Sequence, residues 1–206
     1  MTTTDPSPSR RRSRARRGEG DRLREDIMTA AERLLLETGD ADAVSIRSVA
    51  DAVGVTPPSI YLHFTDKTDL IFQVCQRHWD RFNEHLRSAV EGIEDPVEWI
   101  ETAGRAYINW GLANPEHYRI LFMGKPREVP ASVDKEELLM SGIFGDLMAV
   151  ATRGVNDGRL SGDPAVLGIT AWASVHGLTS LLISVPDMPW PDMDVLISTV
   201  LDRALR

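Results

Sequence analysis

The sequence SIRSVADAVGVTPPSIYLHFTDK, at residues 45–67, contains the start and stop signals of two short helices joined by a tight turn. Ser45 is a good N-cap residue. The apolar residues after it recur at the i, i+3, i+4, i+7 spacing of one buried helix face: Ile46, Val49, Ala50, Val53. Gly54 can adopt the left-handed conformation that ends a helix. The pattern predicts a first helix that begins after Ser45 and ends at Gly54.

A second helix is predicted from Pro57 to about Phe64. Thr56 is expected to cap it, and Pro57 occupies the first helical position, where its missing N–H is no loss. The residues left for the outer surface are Thr56, Ser59, Tyr61 and His63, which are residue types that contact DNA. The pair of helices therefore predicts a helix-turn-helix whose second helix lies in a DNA major groove. The spacing alone leaves an ordinary αα-hairpin as the alternative.

The residues of this stretch also resemble a known family. The string IYLHF at residues 60–64, followed by Lys67 and Leu70, is similar to the Tyr-x-His-Phe, Lys, Leu signature of TetR-type bacterial transcriptional regulators. The preceding pattern R-x-V-A-x-x-x-G-V at residues 47–55 resembles their first helix-turn-helix helix. The resemblance covers roughly residues 22–72. It implies an all-α homodimer with an N-terminal DNA-binding domain and a C-terminal domain for effector binding and dimerisation.

The same resemblance implies which residues contact DNA. In such regulators the tyrosine, the lysine that opens the fourth helix and the polar residues at the start of the second helix-turn-helix helix touch DNA. The candidate DNA-binding residues of the helix-turn-helix are therefore Ser45, Arg47, Thr56, Pro57, Ser59, Tyr61, His63 and Lys67. Pro57 and Pro58 depart from the commoner polar choices, which reduces the number of side chains able to hydrogen-bond a base.

Residues 1–20 are predicted to form a disordered basic arm. They are rich in Pro, Ser, Thr and Gly, contain six arginines and show no apolar periodicity. Such an arm can enter the minor groove or follow phosphates and add affinity through counterion release. The arm residues predicted to contact DNA are Arg10, Arg11, Arg12 and Arg14. A solvated tail that only raises solubility is the alternative.

Charge and composition are consistent with a soluble cytoplasmic protein that binds nucleic acid at one end. The net charge is −8, but residues 1–68 carry 11 basic and 11 acidic side chains, so the acidic excess lies in the C-terminal part. The single cysteine, Cys75, excludes an internal disulfide and is expected to be a buried small hydrophobe. We expect no membrane partner, because no uninterrupted apolar segment approaches the roughly 20 residues of a membrane span and the N-terminus lacks a signal-peptide core.

Periodicity and capping signals predict an all-α fold of about nine helices. The predicted domains are the arm, a helix-turn-helix DNA-binding domain over residues 21–68, and an effector-binding and dimerisation domain over residues 69–206. The helices flanking the helix-turn-helix are expected at residues 21–38, 67–92, 96–113, 116–123, 133–156, 164 onward and 192–205. Aspartates cap three of them: Asp66, Asp95 and Asp163.

The eighth predicted helix contains Trp172 and His176 at i, i+4 spacing, so the two side chains share a helix face. The string Trp-x-x-x-His-Gly resembles a C-terminal domain type in one branch of the TetR regulators. In that family the last two helices pair with those of a second copy as a four-helix bundle. Small residues on the eighth helix would permit such close approach: Ala171, Ala173, Ser174, Gly177 and Ser180.

The effector pocket is predicted from inward-facing aromatic and methionine side chains on helices four to eight. This set suits an adaptable apolar pocket for a small hydrophobic or amphipathic molecule, although plain core packing is the alternative for each residue. The predicted pocket residues are Trp79, Phe82, Tyr107, Trp110, Phe122, Phe144, Met148, Trp172 and His176.

No enzymatic chemistry, cofactor or metal site is predicted. The other histidines, His63, His78, His85 and His117, form no ligand cluster with carboxylates at the expected spacing, and there is no Gly-rich phosphate loop or nucleophile elbow. The favoured function is a ligand-responsive regulator, a repressor released from a palindromic operator by its effector. The alternative is a helical structural or partner-binding protein whose helix-turn-helix does not read DNA.

Overall fold

The structure is a computed structural model that describes residues 19–124, 129–131 and 133–205. Within these ranges the chain forms ten α-helices, one π-helix and no strand, which confirms the all-α prediction. The helices are α1 (Glu19–Thr38), α2 (Ile46–Val53), α3 (Pro57–Ile60), α4 (Lys67–Ala89), α5 (Pro96–Ala113), α6 (Pro115–Tyr118), the π-helix (Arg119–Met123), α7 (Lys135–Met140), α8 (Ile143–Asn156), α9 (Pro164–Ser184) and α10 (Met193–Ala204).

Helices α2 and α3 form the predicted helix-turn-helix. The Ser45 hydroxyl accepts from the Ser48 N–H at 3.0 Å, and the Ser48 hydroxyl accepts from the Ser45 N–H at 3.0 Å, so two otherwise unpaired donors are satisfied. Gly54 ends α2 with φ 77°, a left-handed conformation that a side chain would strain. These two features fix the start of α2 and the turn into α3.

Helix α3 is shorter than predicted, because it ends at Ile60 and continues as a turn. The N–H groups of His63 and Phe64 both donate to the Ile60 carbonyl, at 2.9 and 3.1 Å. Thr56 occupies the N-cap position, but its side chain makes no capping hydrogen bond. The predicted N-cap position of Thr56 is therefore confirmed, but its hydroxyl lies 3.1 Å from the Ser59 hydroxyl and does not bond a backbone N–H.

Two apolar cores organise the described chain. The first joins α1, α2, α3 and the start of α4, and it includes Cys75, which is buried as predicted. The second joins the rest of α4 with α5 and the helices after it. Helix α5 lies at the centre of this second core and packs on α4, α8 and α9. Gly111 permits the contact between α5 and α9, since a Cβ there would collide with Thr179.

Asp66, Asp95 and Asp163 cap α4, α5 and α9 as predicted, each accepting backbone N–H groups of the first turn. The seventh predicted helix is instead two helices, α7 and α8, which meet at residues 141 and 142. The break is tight, because a Cβ on Gly145 would collide with the carbonyl of Met140. The sixth predicted helix is α6 followed by the π-helix.

Helix α9 contradicts the expectation that no apolar segment approaches the length of a membrane span. Pro164–Ser184 is a 21-residue helix long and apolar enough to cross a membrane, the one such helix among the described residues. A core helix of a soluble protein meets the same criteria. In the structure α9 packs against α5, α8 and α10, which accounts for the apolar side chains on its inner face.

Candidate DNA interface and effector cavity

The predicted DNA-binding residues of the helix-turn-helix lie close to one another on or near the surface. Arg47 and Thr56 are exposed, as is Ser45, while Pro57, Ser59 and His63 are half-buried. Tyr61 is 53% exposed and its neighbour Leu62 is 81% exposed. Leu62 was not among the predicted DNA-binding residues, although it lies between the candidates Tyr61 and His63.

Lys67 opens α4 and is half-buried. Its Nζ donates to the backbone carbonyl of Asp42, at 3.1 Å, in the loop between α1 and α2. This bond ties the N-terminus of α4 to the helix-turn-helix. The predicted arm residues Arg10, Arg11, Arg12 and Arg14 lie outside the described residues.

A cavity of about 1580 Å³ occupies the C-terminal part of the molecule and extends to the helix-turn-helix. Its wall comes from α4, α5, the π-helix, α7, α8 and α9, and it reaches Lys67 and Asp42 at the DNA-binding end. Seven of the predicted pocket residues line it: Trp79, Phe82, Tyr107, Phe122, Phe144, Trp172 and His176.

Trp110 and Met148 do not line this cavity. Trp110 is 8% exposed, and its ring packs edge to face on Phe82 with the ring centroids 5.0 Å apart. It therefore supports the wall from behind. Met148 is directed to α9, where its terminal methyl group fills the space that a Cβ on Gly168 would need. The periodic pattern placed both residues inward correctly, but the inside of this fold includes packed core as well as cavity.

The aromatic wall of the cavity is built from rings in edge-to-face contact. Phe122 of the π-helix lies 5.0 Å from Trp79 and 5.4 Å from Phe82, measured between ring centroids. Phe144 and Trp172 form a second such pair at 5.2 Å. Aromatic rings prefer this geometry, which makes the wall a defined surface for apolar ligands.

A polar cluster is embedded in this wall. The Tyr118 hydroxyl lies 2.7 Å from Nδ1 of His176, and the Tyr107 hydroxyl lies 3.2 Å from the same nitrogen. Burial raises the pKa of both tyrosines and lowers the pKa of His176, so all three groups are neutral near pH 7. When Tyr118 donates to Nδ1, the neutral imidazole carries its proton on Nε2, which becomes a hydrogen-bond donor in a largely apolar site.

The π-helix connects the cavity with the DNA-binding core. Ile120 is 3% exposed and belongs to the first core, among residues of α1, α2 and α4. Ile120 also borders the cavity, together with its neighbours Leu121 and Phe122. The π-helix is therefore shared between the first core and the cavity wall. Sequence periodicity could not identify this role, because the segment is only five residues long.

Helix α9 also has an apolar outer face. Val166, Ile169 and Leu181 are 62%, 52% and 54% exposed and recur at helical spacing on one side of the helix. A Cβ on Gly177 would meet no atom within 4 Å. Among the described residues this face remains largely exposed, although Ile169 and Ala173 also border the cavity. It contains Ala173 and Gly177 of the predicted small-residue set.

Glu32 of α1, His78 of α4 and His117 of α6 form a further cluster. One ligand atom from each lies within 4.8 Å of the others. The prediction that these histidines form no cluster with a carboxylate is wrong, because the fold brings together residues that are far apart in the sequence. Burial lowers the pKa of His117 and keeps its imidazole neutral near pH 7.

The fold combines a helix-turn-helix with a large cavity, and comparison with known proteins gives the family. Residues 27–74 match the model of bacterial regulatory proteins of the tetR family, and residues 100–204 match the tetracyclin repressor-like C-terminal domain. The chain belongs to the TetR family. It is a DNA-binding transcriptional regulator and not an enzyme.

A curated relative is the HTH-type transcriptional activator FasR of Mycolicibacterium smegmatis, 28% identical over 102 residues. The match covers 50% of this chain, and the chain spans about half of FasR, 46% of its length. The solved structure of FadR from Bacillus subtilis in complex with stearoyl-CoA has a TM-score of 0.67 at 16% identity, covering 88% of this chain and 97% of FadR. A TetR family regulator from Shewanella sp. PV-4 has a TM-score of 0.71 at 18% identity, covering 89% and 96%. These structures show the same fold.

Proposed function

We propose that the chain is a homodimeric regulator that binds a palindromic operator and releases it when an amphipathic effector with a long apolar part enters the cavity. The observation that carries this proposal is the continuity between the cavity and the DNA-binding core. Phe122 and Ile120 both line the cavity, and Ile120 also packs in the core formed with residues 27–75. A ligand that displaces the π-helix therefore acts directly on the DNA-binding core.

The size and chemistry of the cavity favour the effector class. Ligand pockets commonly measure about 300–1,000 Å³. The 1580 Å³ cavity is larger, so it can accept a long chain as well as a polar head. Its aromatic wall suits an aliphatic chain, and the imidazole of His176 offers a hydrogen bond to a carbonyl or carboxylate oxygen. The stearoyl-CoA bound to the Bacillus subtilis FadR supports the choice of a long-chain acyl compound.

The DNA-binding role is assigned to the surface around α3. Thr56, Ser59 and Tyr61 would lie at the major groove, and Arg47 and Lys67 would contact phosphates. The exposed side chain of Leu62 adds an apolar group that can contact a thymine methyl group. Helix α1 begins at Glu19, so the arm is at most residues 1–18, two residues shorter than predicted. Its arginines would add phosphate contacts and therefore salt dependence.

The outer face of α9 supports the proposed homodimer. Isolated exposed apolar residues are normal on a protein surface, but Val166, Ile169 and Leu181 lie on one side of one helix, and α10 packs beside it. A two-fold axis through this face would form a four-helix bundle from two copies of α9 and α10. Such a dimer presents two helix-turn-helices to a palindrome. A regulator of this kind works in the cytoplasm, where the DNA is.

The direct test is to identify the DNA that the full chain retains. Genomic fragments bound without effector are sequenced, and gel shifts then measure binding to the recovered site with and without stearoyl-CoA. We expect binding to a palindrome and its loss with the acyl compound. Retention of no specific fragment would favour the alternative, a helical protein whose helix-turn-helix does not read DNA.

Two further measurements complete this experiment. Deleting residues 1–17 is expected to reduce affinity and salt dependence but leave the melting temperature unchanged. Transcription from the recovered promoter decides the sign of regulation. We propose repression, and the relative FasR, which is called an activator, makes that measurement necessary.

A further inference from the structure

Glu32, His78 and His117 form a cluster, and none of the three residues lines the cavity of about 1580 Å³. The cluster joins three helices at the junction of the two cores. The His78 ring is 1% exposed and meets the His117 ring edge to face, with the centroids 4.7 Å apart. Nε2 of His78 lies 3.7 Å from Oε1 of Glu32. Two imidazoles and one carboxylate therefore converge at a largely enclosed position.

The separations are those of a site that needs only small side-chain rotations to close around an ion. Zinc bonds of about 2.0–2.1 Å in a tetrahedral site place ligand atoms about 3.3 Å apart. The three ligand atoms here lie within 4.8 Å of one another, and one of them already lies 3.7 Å from its neighbour. Closing the site therefore requires movements of about an ångström, within the range of side-chain rotation.

Positively charged side chains near the cluster compete with a metal ion for Glu32, but they do not exclude it. Arg81 pairs with Oε1 of Glu32 at 3.1 Å, and Arg77 lies 3.8 Å from Oε2. Arg77 is also bound to both carboxylate oxygens of Glu25, each at 2.8 Å, so its charge is compensated. Arg81 is 55% exposed and can turn into solvent when a metal ion takes its place on Glu32. Glu116 lies near His117, but its carboxylate is paired with Arg119 at 2.6 Å.

We propose that Glu32, His78 and His117 bind a divalent transition metal ion of the zinc class, with water completing the coordination. Two imidazole nitrogens and one carboxylate oxygen form a donor set that zinc, cobalt and nickel accept. Magnesium and calcium prefer oxygen ligands alone, so they do not fit this cluster. None of these three residues lines the proposed effector cavity.

Bound metal would link α1 of the DNA-binding core to α4 and α6. Helix α6 leads directly into the π-helix, whose Ile120 packs in the same core. The ion would therefore stabilise the relative positions of these helices. Because it binds the folded chain and not the unfolded one, saturating metal raises the melting temperature.

The test uses the untagged full-length chain after treatment with a chelator and dialysis. Zinc binding is measured by calorimetry, and cobalt binding by visible absorption. We expect one ion per protomer with micromolar or tighter affinity, cobalt absorption bands of a site with nitrogen and oxygen ligands, and a higher melting temperature with zinc. Absence of binding at micromolar zinc would overturn the proposal.

Three variants locate the ion. His117→Gln removes a half-buried ligand and should weaken zinc binding at least about tenfold. His85→Gln changes an exposed histidine of α4 outside the cluster and should leave it unchanged. Arg81→Gln removes the cation that competes for Glu32 and should strengthen binding, an effect that a purely structural cluster would not produce. Wild-type zinc affinity in His117→Gln would also overturn the proposal.

Discussion

The Tyr118 hydroxyl lies 2.7 Å from Nδ1 of His176, and Tyr118 is completely buried. This bond joins α6 to α9 across the end of the cavity. The Tyr107 hydroxyl lies 3.1 Å from the Tyr118 hydroxyl and completes the cluster from α5. Three helices therefore meet through hydrogen bonds in a wall that is otherwise apolar, where an unpaired polar group is unfavourable.

Replacing Tyr118 by Phe should lower the free energy of unfolding by about 1–2 kcal/mol, because Nδ1 of His176 loses its nearer partner. Urea unfolding measures the change. The Tyr107 hydroxyl lies 3.2 Å from Nδ1 and remains in the variant. We therefore expect the decrease in the free energy of unfolding to lie at the lower end of this range. Tyr61→Phe is the matched control, since Tyr61 is 53% exposed and its variant should unfold as the wild type does. Equal stability of all three proteins would contradict the role of this bond.

The lowered pKa of His176 predicts a pH dependence of stability. In the unfolded chain a histidine titrates near about 6.5. Burial lowers the pKa of His176 in the native state, so the unfolded chain takes up the proton first as the pH falls. The free energy of unfolding should therefore decrease below about pH 6.5, and His117 contributes with the same sign. Asp69 and Asp95 also have lowered pKa values, but they titrate in a more acidic range.

Urea unfolding at several pH values between about 5.5 and 7.5 measures this slope. His176→Gln should flatten it, because the variant has no imidazole to protonate at that position. His85→Gln replaces an exposed histidine and should keep the wild-type slope. The assignment fails if the two variants show the same slope.

The parts of the fold that the sequence predicted well are those encoded by short-range chemistry. Ser45, Gly54 and Asp66 act on backbone groups within four residues, so their roles follow from the local sequence alone. The aromatic residues of the cavity were found because helical periodicity reports which residues face inward. Periodicity does not distinguish core from cavity, and Trp110 was therefore placed in the pocket although it packs behind the wall.

The features that sequence reasoning missed depend on long-range contacts. Glu32 and His117 meet only because α6 packs near α1, and no local spacing encodes that approach. The role of Ile120 in the DNA-binding core has the same origin. Both features lie where the two cores meet. The periodicity of each single helix does not show how the helices pack on one another, so it cannot locate this junction.

The exposed face of α9 predicts a dimer that a single charge can disrupt. Leu181→Asp would place a carboxylate in an apolar interface between two copies of α9, where it has no partner. We expect the wild type to sediment as a dimer and the variant as a monomer, with weaker binding to a palindromic site. Ala149→Asp introduces the same charge on the exposed surface of α8 and should remain dimeric. A dimeric Leu181→Asp variant would place the interface elsewhere.

Lys67 is expected to hold a DNA phosphate when the chain binds its operator. Its ammonium group now donates to the Asp42 carbonyl, so it is already positioned at the helix-turn-helix. Lys67→Ala should weaken specific and nonspecific DNA binding about equally and lower the salt slope by roughly 1. Lys135→Ala removes an equivalent charge at the cavity and should keep the salt slope. Loss of specific binding alone, with an unchanged salt slope, would contradict the phosphate contact.

The effector and the operator are expected to oppose each other through the π-helix. An acyl compound acts as an inducer if it binds more tightly to the arrangement of the protein that does not bind DNA. Operator DNA must then lower the affinity of the protein for the compound, and the compound must lower the affinity for DNA by the same factor. Trp79 and Trp172 line the cavity, so quenching of tryptophan fluorescence reports occupancy. We expect stearoyl-CoA to bind more weakly when a saturating operator duplex is present.

A duplex of unrelated sequence provides the control, because it should leave the quenching curve unchanged at the same salt concentration. Ile120→Ala tests the route of coupling, since this side chain is 3% exposed, packs in the DNA-binding core and also borders the cavity. The variant should still bind both operator DNA and stearoyl-CoA. The factor by which each lowers the affinity of the other should be smaller, because the space left by the shortened side chain lets the π-helix move without displacing the core. Equal stearoyl-CoA affinities with and without operator in the wild type would mean that the compound occupies the cavity without acting as an inducer.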